Sequence, residues 1–231
     1  MNVNNIVYNE DCMIGMKQYP NDYFDLAIVD PVYGDVTKGG YMKGRGGGVA
    51  KPRLYDNSIW DQEKTPPEYF DELFRVSKNQ IIWGGNYFME SIHRDSQCWL
   101  VWDKKRGEDV SFADCELAWT SFNKATRMFR FKWNGFQQED MKNKEKRIHP
   151  TQKPVALYEW ILANYANQGD KILDTHVGSG SSRIACYNMG YDFTGYEINK
   201  TYFDLQEKRF LSETAQMNLF IDFLDKENPS N

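Results

Sequence analysis

Apolar positions along the chain change period several times, and each change marks a structural element. Asn5 to Tyr8 reads as a short strand, and Asp11 to Lys17 as the start of a helix stopped near Pro20. Phe24 to Val29 is an apolar run of the kind found in a central parallel strand buried on both faces, and it ends at Asp30-Pro31. Pro66 and Pro67 suit a helix N-terminus, and Tyr69, Phe70, Leu73, Phe74 and Val76 give the following segment an apolar face. Gln80 to Trp83 predicts another strand. Cys98 to Trp102, Cys115 to Phe122 and Thr126 to Trp133 are short β-like runs at close spacing, predicting an antiparallel edge or meander with no parallel connections. After a charged linker ending in HPTQKP, a helix is expected from Val155 to Asn167. A strand at Lys171 to Asp174, a glycine loop, a helix and a strand at Phe193 to Glu197 follow. The rhythm is that of an α/β sheet.

The 231 residues fit a single domain spanning 1–231, long enough for a sizeable core. Four cysteines, Cys12, Cys98, Cys115 and Cys186, lack paired CxxC spacing, which argues against a zinc site and a disulfide framework and predicts no metal. The N-terminal stretch has no secretory pattern and no apolar run is long enough to cross a bilayer, so a soluble, reduced, cytoplasmic protein without a membrane partner is expected.

The net charge of -5 speaks against a nucleic-acid partner only if charge is evenly spread, and it is not. Lys38, Lys43, Arg45, Lys51 and Arg53 lie in an acid-free stretch inside a glycine-rich loop, residues 34–60. Lys124, Arg127, Arg130 and Lys132 form a second cluster, and Lys142, Lys144, Lys146 and Arg147 a third. Any one cluster could be a solvated face. Three near candidate site residues favour phosphate binding.

Two constellations carry chemistry. In KILDTHVGSGSSRIACYNMGYDFTGYEI a strand enters a glycine loop, a helix leaves it, and Glu197 ends the next strand. Gly178 and Gly180 let the backbone approach a ligand, the helix N-terminus offers unpaired N–H groups, and Glu197 can accept from two ribose hydroxyls. A dinucleotide fingerprint would need a third glycine where Arg183 stands, so a nicotinamide or flavin is disfavoured. The loop alone could be a mere strand-to-helix turn.

The second constellation is Asp30-Pro31-Val32-Tyr33-Gly34 at the end of the buried strand. A nucleobase amine is a poor nucleophile because its lone pair is delocalised into the ring. The Asp30 carboxylate and the Pro31 carbonyl can accept both amine hydrogens, drawing the nitrogen towards tetrahedral geometry and aiming its lone pair at a sulfonium methyl. Tyr33 can stack on a base flipped out of its duplex. As a tetrapeptide DPVY is also compatible with a strand-ending turn.

Taken together and in order, Asp11, DPVY at Asp30, HPTQKP from His149 to Pro154, DTHVGSGSS from Asp174 to Ser182, and GYEI ending at Ile198 resemble the DNA amino-methyltransferases with a (D/N/S)PPY motif. The match is to the circularly permuted arrangement in which the catalytic motif precedes the cofactor loop, and it spans nearly the whole chain. The resemblance implies a Rossmann-like methyltransferase fold with a mostly parallel seven-stranded sheet and an antiparallel edge, and S-adenosyl-L-methionine as cofactor. It implies catalytic roles for Asp30, Pro31 and Tyr33. It also implies that Asp11 contacts the cofactor adenine, and that Thr151, Lys153 and Pro154 with Asp174, His176, Gly178, Ser179 and Gly180 enclose its methionine part. Glu197, with Ile198 beside it, would hold the ribose.

Asp at the first motif position favours adenine N6 over cytosine N4 within the resemblance. Val32 stands in place of a second proline, and His176 in place of the usual phenylalanine. The expected partner is double-stranded DNA, read through residues 34–60 and 104–147, with Lys43, Arg45, Lys51, Arg53, Arg106, Arg127 and Arg130 as phosphate or guanine contacts. A homodimer and a companion restriction endonuclease are both compatible with it. Cytosine ring methylation is disfavoured, because no cysteine follows a proline. An RNA or protein amine methyltransferase, and a silent DNA-binding module, are the competing readings.

Overall fold

A computed structural model describes residues 3–34, 64–106, 113–134 and 137–227. In chain order the elements are β1 (Asn5–Tyr8), α1 (Cys12–Met16), β2 (Phe24–Val29), α2 (Pro67–Val76), β3 (Ser77–Trp83), α3 (Met89–Ile92), β4 (Leu100–Asp103), β5 (Cys115–Thr120) and β6 (Arg127–Arg130). There follow β7 (Trp133–Asn134), β8 (Gln137–Gln138), α4 (Val155–Tyr165), β9 (Lys171–Asp174), α5 (Ser181–Met189), β10 (Asp192–Tyr196) and α6 (Lys200–Glu227).

The main sheet has the order β1-β10-β9-β2-β3-β5-β4-β6, and β7 and β8 form a separate antiparallel pair. β1 to β3 of this order, through β10, β9 and β2, are parallel. β5 runs antiparallel to both β3 and β4. Among the described residues the main sheet thus has eight strands, one more than the seven expected.

The extra strand also corrects the expected meander, because β6 pairs with β4 in parallel, Leu100 opposite Arg127 and Asp103 opposite Arg130. β5 buries Ala118 and Trp119 and takes the place between β3 and β4. The edge left open is then the far side of β4, where the Arg127 N–H donates to the Trp99 carbonyl and the Phe131 N–H to that of Asp103. Residues 104–147, expected to read DNA, thus also supply β5, an interior strand of the sheet.

Alternation along β2 explains why its sequence is apolar on both faces. Leu26 and Ile28 pack with Leu157 and Ile161 of α4 on one side of the sheet. Ala27 and Val29 pack with Phe70 and Leu73 of α2 on the other. Burying each such aliphatic chain fully contributes roughly 1.5–3 kcal/mol. No helix among the described residues is long and apolar enough to cross a membrane.

Strand order positions the site. From β2 the chain crosses through α2 to β3 on one side, whereas from β9 it crosses through α5 to β10 on the other. β2 and β9 are neighbours, with Leu26 opposite Ile172 and Ala27 opposite Leu173. Their following loops, which begin at Asp30 and Thr175, therefore leave the sheet side by side. Such a switch point opens a crevice at the carboxyl ends of the strands.

Candidate active site

Both constellations meet at this crevice. Asp30, first after β2, is part-buried. Its Oδ1 accepts from the Tyr33 hydroxyl at 2.5 Å, and its Oδ2 is ion-paired with the Lys153 ammonium, which is 3% exposed. Burial first, then the Asp30 and Glu116 charges, push the Tyr33 phenol well above its ordinary range, so it stays a donor. The Tyr33 ring lies against Tyr87, centroids 5.1 Å apart, and edge-on to Phe88. Gly84 makes room for it: at φ +65° it adopts a conformation glycine tolerates, and a Cβ there would stand 2.2 Å from the Tyr33 ring. Val32, the departure from the second proline, offers its carbonyl to the Thr65 N–H at 3.0 Å and hydroxyl at 3.1 Å. Pro31 is buried.

Across the crevice the loop after β9 is held by its own acids. Asp174, 2% exposed, accepts from the His176 N–H at 2.9 Å and the Ser182 hydroxyl at 2.5 Å. Burial raises its carboxyl to about 7, against the pull of those two donors, with the Asp30 and Glu197 charges adding to the rise. Gly178 and Gly180 have φ of +52° and +77°, which turn the backbone back on itself before α5. Ser179 is buried, its hydroxyl 3.2 Å from that of Ser181.

Glu197 accepts the Gly178 N–H at one oxygen and the Asn199 N–H at the other, both at 2.8 Å. Burial raises its carboxyl above the usual range, although those two N–H groups oppose the shift. Beside it Ile198 is 58% exposed, an apolar side chain presented next to a carboxylate. Asp11 caps α1, accepting the Met13 N–H at 2.8 Å. His176 bonds Thr175 through Nδ1 at 2.9 Å, and Thr175 in turn meets the buried Tyr69 hydroxyl at 2.5 Å.

The HPTQKP segment supplies the third wall. His149 is buried edge-on to Tyr202, with ring centroids 4.2 Å apart, and its Nδ1 lies 3.1 Å from the Thr151 hydroxyl. Burial, then the Lys153 and Arg147 charges, lower its imidazole to about 4, so it is neutral. Pro154 precedes α4, whose first N–H, at Val155, is taken by Glu145 Oε1 at 3.0 Å. Arg209 of α6 pairs with Glu145 Oε2 at 2.7 Å and donates to the Ser179 carbonyl at 2.9 Å. Ser181 donates to the Lys153 carbonyl at 2.7 Å. One buried arginine thus ties the charged linker to the glycine loop through Glu145; in that linker Lys142, Lys144 and Lys146 are exposed, and Arg147 donates to the Pro150 carbonyl at 2.6 Å.

Of the residues expected to bind cofactor, Asp174, His176, Gly178, Ser179 and Gly180 lie at the end of β9 and on the loop after it, Glu197 and Ile198 follow β10, and Thr151 and Pro154 precede α4; Glu197 bonds the Gly178 N–H, and the Asp30 charge reaches Asp174 and His176. The Lys153 ammonium reaches Asp30 rather than the glycine loop. Of the expected DNA contacts, Arg106, Arg127 and Arg130 are among the described residues. Lys43, Arg45, Lys51 and Arg53 lie outside the described residues. Arg130 is 65% exposed and pairs with Asp103 at 3.5 Å; Arg106 is half-buried near the end of β4. Arg127 instead lines a cavity of about 360 Å³ with Lys124, Asn164 and Tyr165 at the C-terminal end of α4, the end remote from Lys153. A helix of that length spans about 16 Å, which removes Arg127 from the crevice.

Sequence reasoning missed Glu116 and Lys104, an ion pair reaching Lys153. The available signal was an acid set in a strand, CELAWT, otherwise made of apolar residues and a threonine. Arg183, standing where a dinucleotide site needs glycine, is 5% exposed and bonds Asn5 and Glu207, so its place is filled by structure.

Comparison with known proteins bears on this arrangement. A family model described as DNA methylase matches residues 93–208. The chain is 42% identical over 71 residues to the type II methyltransferase M.HpaI of Haemophilus parainfluenzae, covering 31% of this chain and 23% of that protein. It is 24% identical over 248 residues to M.HinfI of Haemophilus influenzae, covering 89% and 68%. The matched stretches thus run from about a quarter to two thirds of those relatives' lengths. Among solved structures, the M1.HpyAVI complex with SAM superposes with a TM-score of 0.55 at 23% identity, covering 88% of this chain and 98% of that one, a likeness of fold. With the family match spanning half the sequence and the crevice assembled from its motifs, the chain belongs to the DNA methylase family.

Proposed function

We infer that this protein transfers a methyl group from S-adenosyl-L-methionine to the exocyclic amine of a base flipped out of double-stranded DNA, with adenine N6 as the acceptor. The observation that carries this reading is convergence. Asp30 and Tyr33 after β2, Lys153 before α4, and the Asp174–Gly180 loop after β9 share one crevice.

The residues present fit the cofactor. Glu197 can receive ribose hydroxyls on lone pairs left after its two backbone bonds, and the exposed Ile198 offers an apolar surface for the adenine. Gly178 and Gly180, at φ +52° and +77°, give the loop the turn by which it would enclose the methionine part. When bound, the cofactor supplies a sulfonium methyl: the amine lone pair forms the N–C bond, the C–S electron pair returns to sulfur, and an amine proton leaves to water.

The protein's own part is orientation. Asp30 and the Pro31 carbonyl accept the two amine hydrogens, which localises the lone pair. In the free protein both Asp30 oxygens are engaged, so the amine takes over the acceptor that the Tyr33 hydroxyl occupies. Tyr33, released from that bond, supplies an aromatic face for the flipped base, offsetting part of its lost stacking. No general base is needed, and His149 and His176 remain neutral supports. Adenine is preferred because an aspartate stands first in the DPVY motif.

The test is transfer of labelled methyl from S-adenosyl-L-methionine to duplex DNA, with the digest resolved by mass spectrometry and RNA and protein acceptors run in competition. N6-methyladenine is the expected product. N4-methylcytosine alone would overturn the choice of base, and label in RNA or protein alone the choice of substrate.

A further inference from the structure

Four charged side chains form a chain from the crevice into the sheet. Asp30 pairs with Lys153, the Lys153 ammonium lies 3.3 Å from Glu116 Oε2, and Glu116 Oε1 pairs with Lys104. They come from four separate places: the end of β2, the segment before α4, β5, and the residue after β4. Glu116 Oε2 is sealed from solvent and accepts no hydrogen bond among the described residues. Its compensation is the nearby ammonium. The central pair, Lys153 and Glu116, stays charged. Burial alone would lower Lys153, yet Asp30 and Glu116 raise it, while Lys153 and Lys104 hold Glu116 below the carboxylate range against its own burial.

The array of two lysines and two carboxylates is neutral overall. That neutrality has a consequence if the chain methylates an amine, the reading on which this inference rests. During transfer, positive charge leaves the sulfur and grows on the nitrogen held by Asp30. A lysine paired with Asp30 alone would cancel the carboxylate and oppose that growth. Glu116 offsets the lysine.

We propose that Glu116 is a positioning residue for methyl transfer: by holding the charge of Lys153 it leaves the Asp30 carboxylate able to stabilise the cation forming on the amine, while Lys104 anchors Glu116. Glu116 does not touch the substrate. It acts through Lys153.

Glu116→Gln keeps the size of the side chain and removes its charge. It should lower kcat by about tenfold to a hundredfold while the KM for DNA and the Kd for S-adenosyl-L-methionine move by less than about threefold. Glu116→Asp should restore most of the rate. Lys78→Met, which breaks the exposed pair with Asp25 at the opposite end of β2, serves as the control and should match the wild type. The same variants are followed by the 13C resonance of the Asp30 carboxyl in the cofactor-free protein, which should move in Glu116→Gln.

An unchanged kcat in Glu116→Gln, or equal loss in the Gln and Asp variants together with a fall in thermal midpoint, would overturn the proposal. A wild type that transfers methyl to no DNA while the Asp30 resonance still responds would remove the functional reading and leave the charge coupling standing. A resonance that does not respond removes the coupling whatever the activity.

Discussion

Lys153 is ion-paired with Asp30, 123 positions away in the chain. The pair joins HPTQKP to DPVY, and under the proposed function it sets the lysine beside the reacting amine. Lys153→Met should therefore lower the transfer rate more than it weakens cofactor binding. Removing one partner of a buried pair typically costs about 3–5 kcal/mol, so the variant should also unfold earlier. Isothermal titration with S-adenosyl-L-methionine beside single-turnover kinetics separates the two. A large loss of cofactor affinity at unchanged single-turnover rate would return Lys153 to the cofactor.

Gly84 sets the position of Tyr33. An alanine there carries strain from its left-handed backbone and drives its Cβ against the ring. Gly84→Ala should cost roughly 1–3 kcal/mol of stability and displace the aromatic face that receives the base, lowering kcat. Denaturant unfolding and steady-state rates check it. Full activity in Gly84→Ala would mean that Tyr33 is not held where the base enters.

Val32 tolerates proline on this account. Its carbonyl makes the bonds to Thr65, and proline keeps a carbonyl. Val32→Pro should retain both fold and transfer, since the extended backbone that proline imposes on Pro31 suits the loop. Loss of transfer with the fold intact would contradict the description of this turn.

His176 makes the fold sensitive to acid. Burial lowers its imidazole from 6.5 to about 4, although Asp30 and Asp11 pull the other way. The unfolded chain takes up this proton below pH 6.5 and the folded chain only near 4, so stability is lost as pH falls through that window. Asp174 runs opposite: its raised carboxyl favours the folded state at low pH, and that stability is lost as pH rises from about 4 through 7. His176→Phe removes only the first effect. Between pH 6 and 5 the variant should lose about 1 kcal/mol less than the wild type. Urea melts at the two pH values give the comparison, and identical slopes would mean His176 is not neutral in the fold.

Much of this fold is written in local pattern. β2 is legible because Phe24 to Val29 is apolar on both faces, and β9, α5 and β10 because glycines and an acid punctuate them. β6 is legible as a strand within Thr126 to Trp133, but its parallel pairing is not, because β5 takes the place beside β3, a competition between segments that no local window contains. The same holds within the site. Asp30, Gly178 and Glu197 announce themselves by motif, whereas Glu116 and Lys104 acquire meaning only when the sheet sets them against Lys153. Arg127 stands in a basic cluster of the sequence, and only β6 and α4 together place it at a cavity at the far end of the helix.

The central claim is that Asp30 orients the amine that receives the methyl group, and transfer of labelled methyl to duplex DNA by wild type and Asp30→Ala, with cofactor binding measured on both, tests it most directly. N6-methyladenine is expected from the wild type, and from Asp30→Ala retained cofactor binding with transfer lowered by at least about a thousandfold. An Asp30→Ala protein that binds cofactor and transfers at the wild-type rate would contradict it.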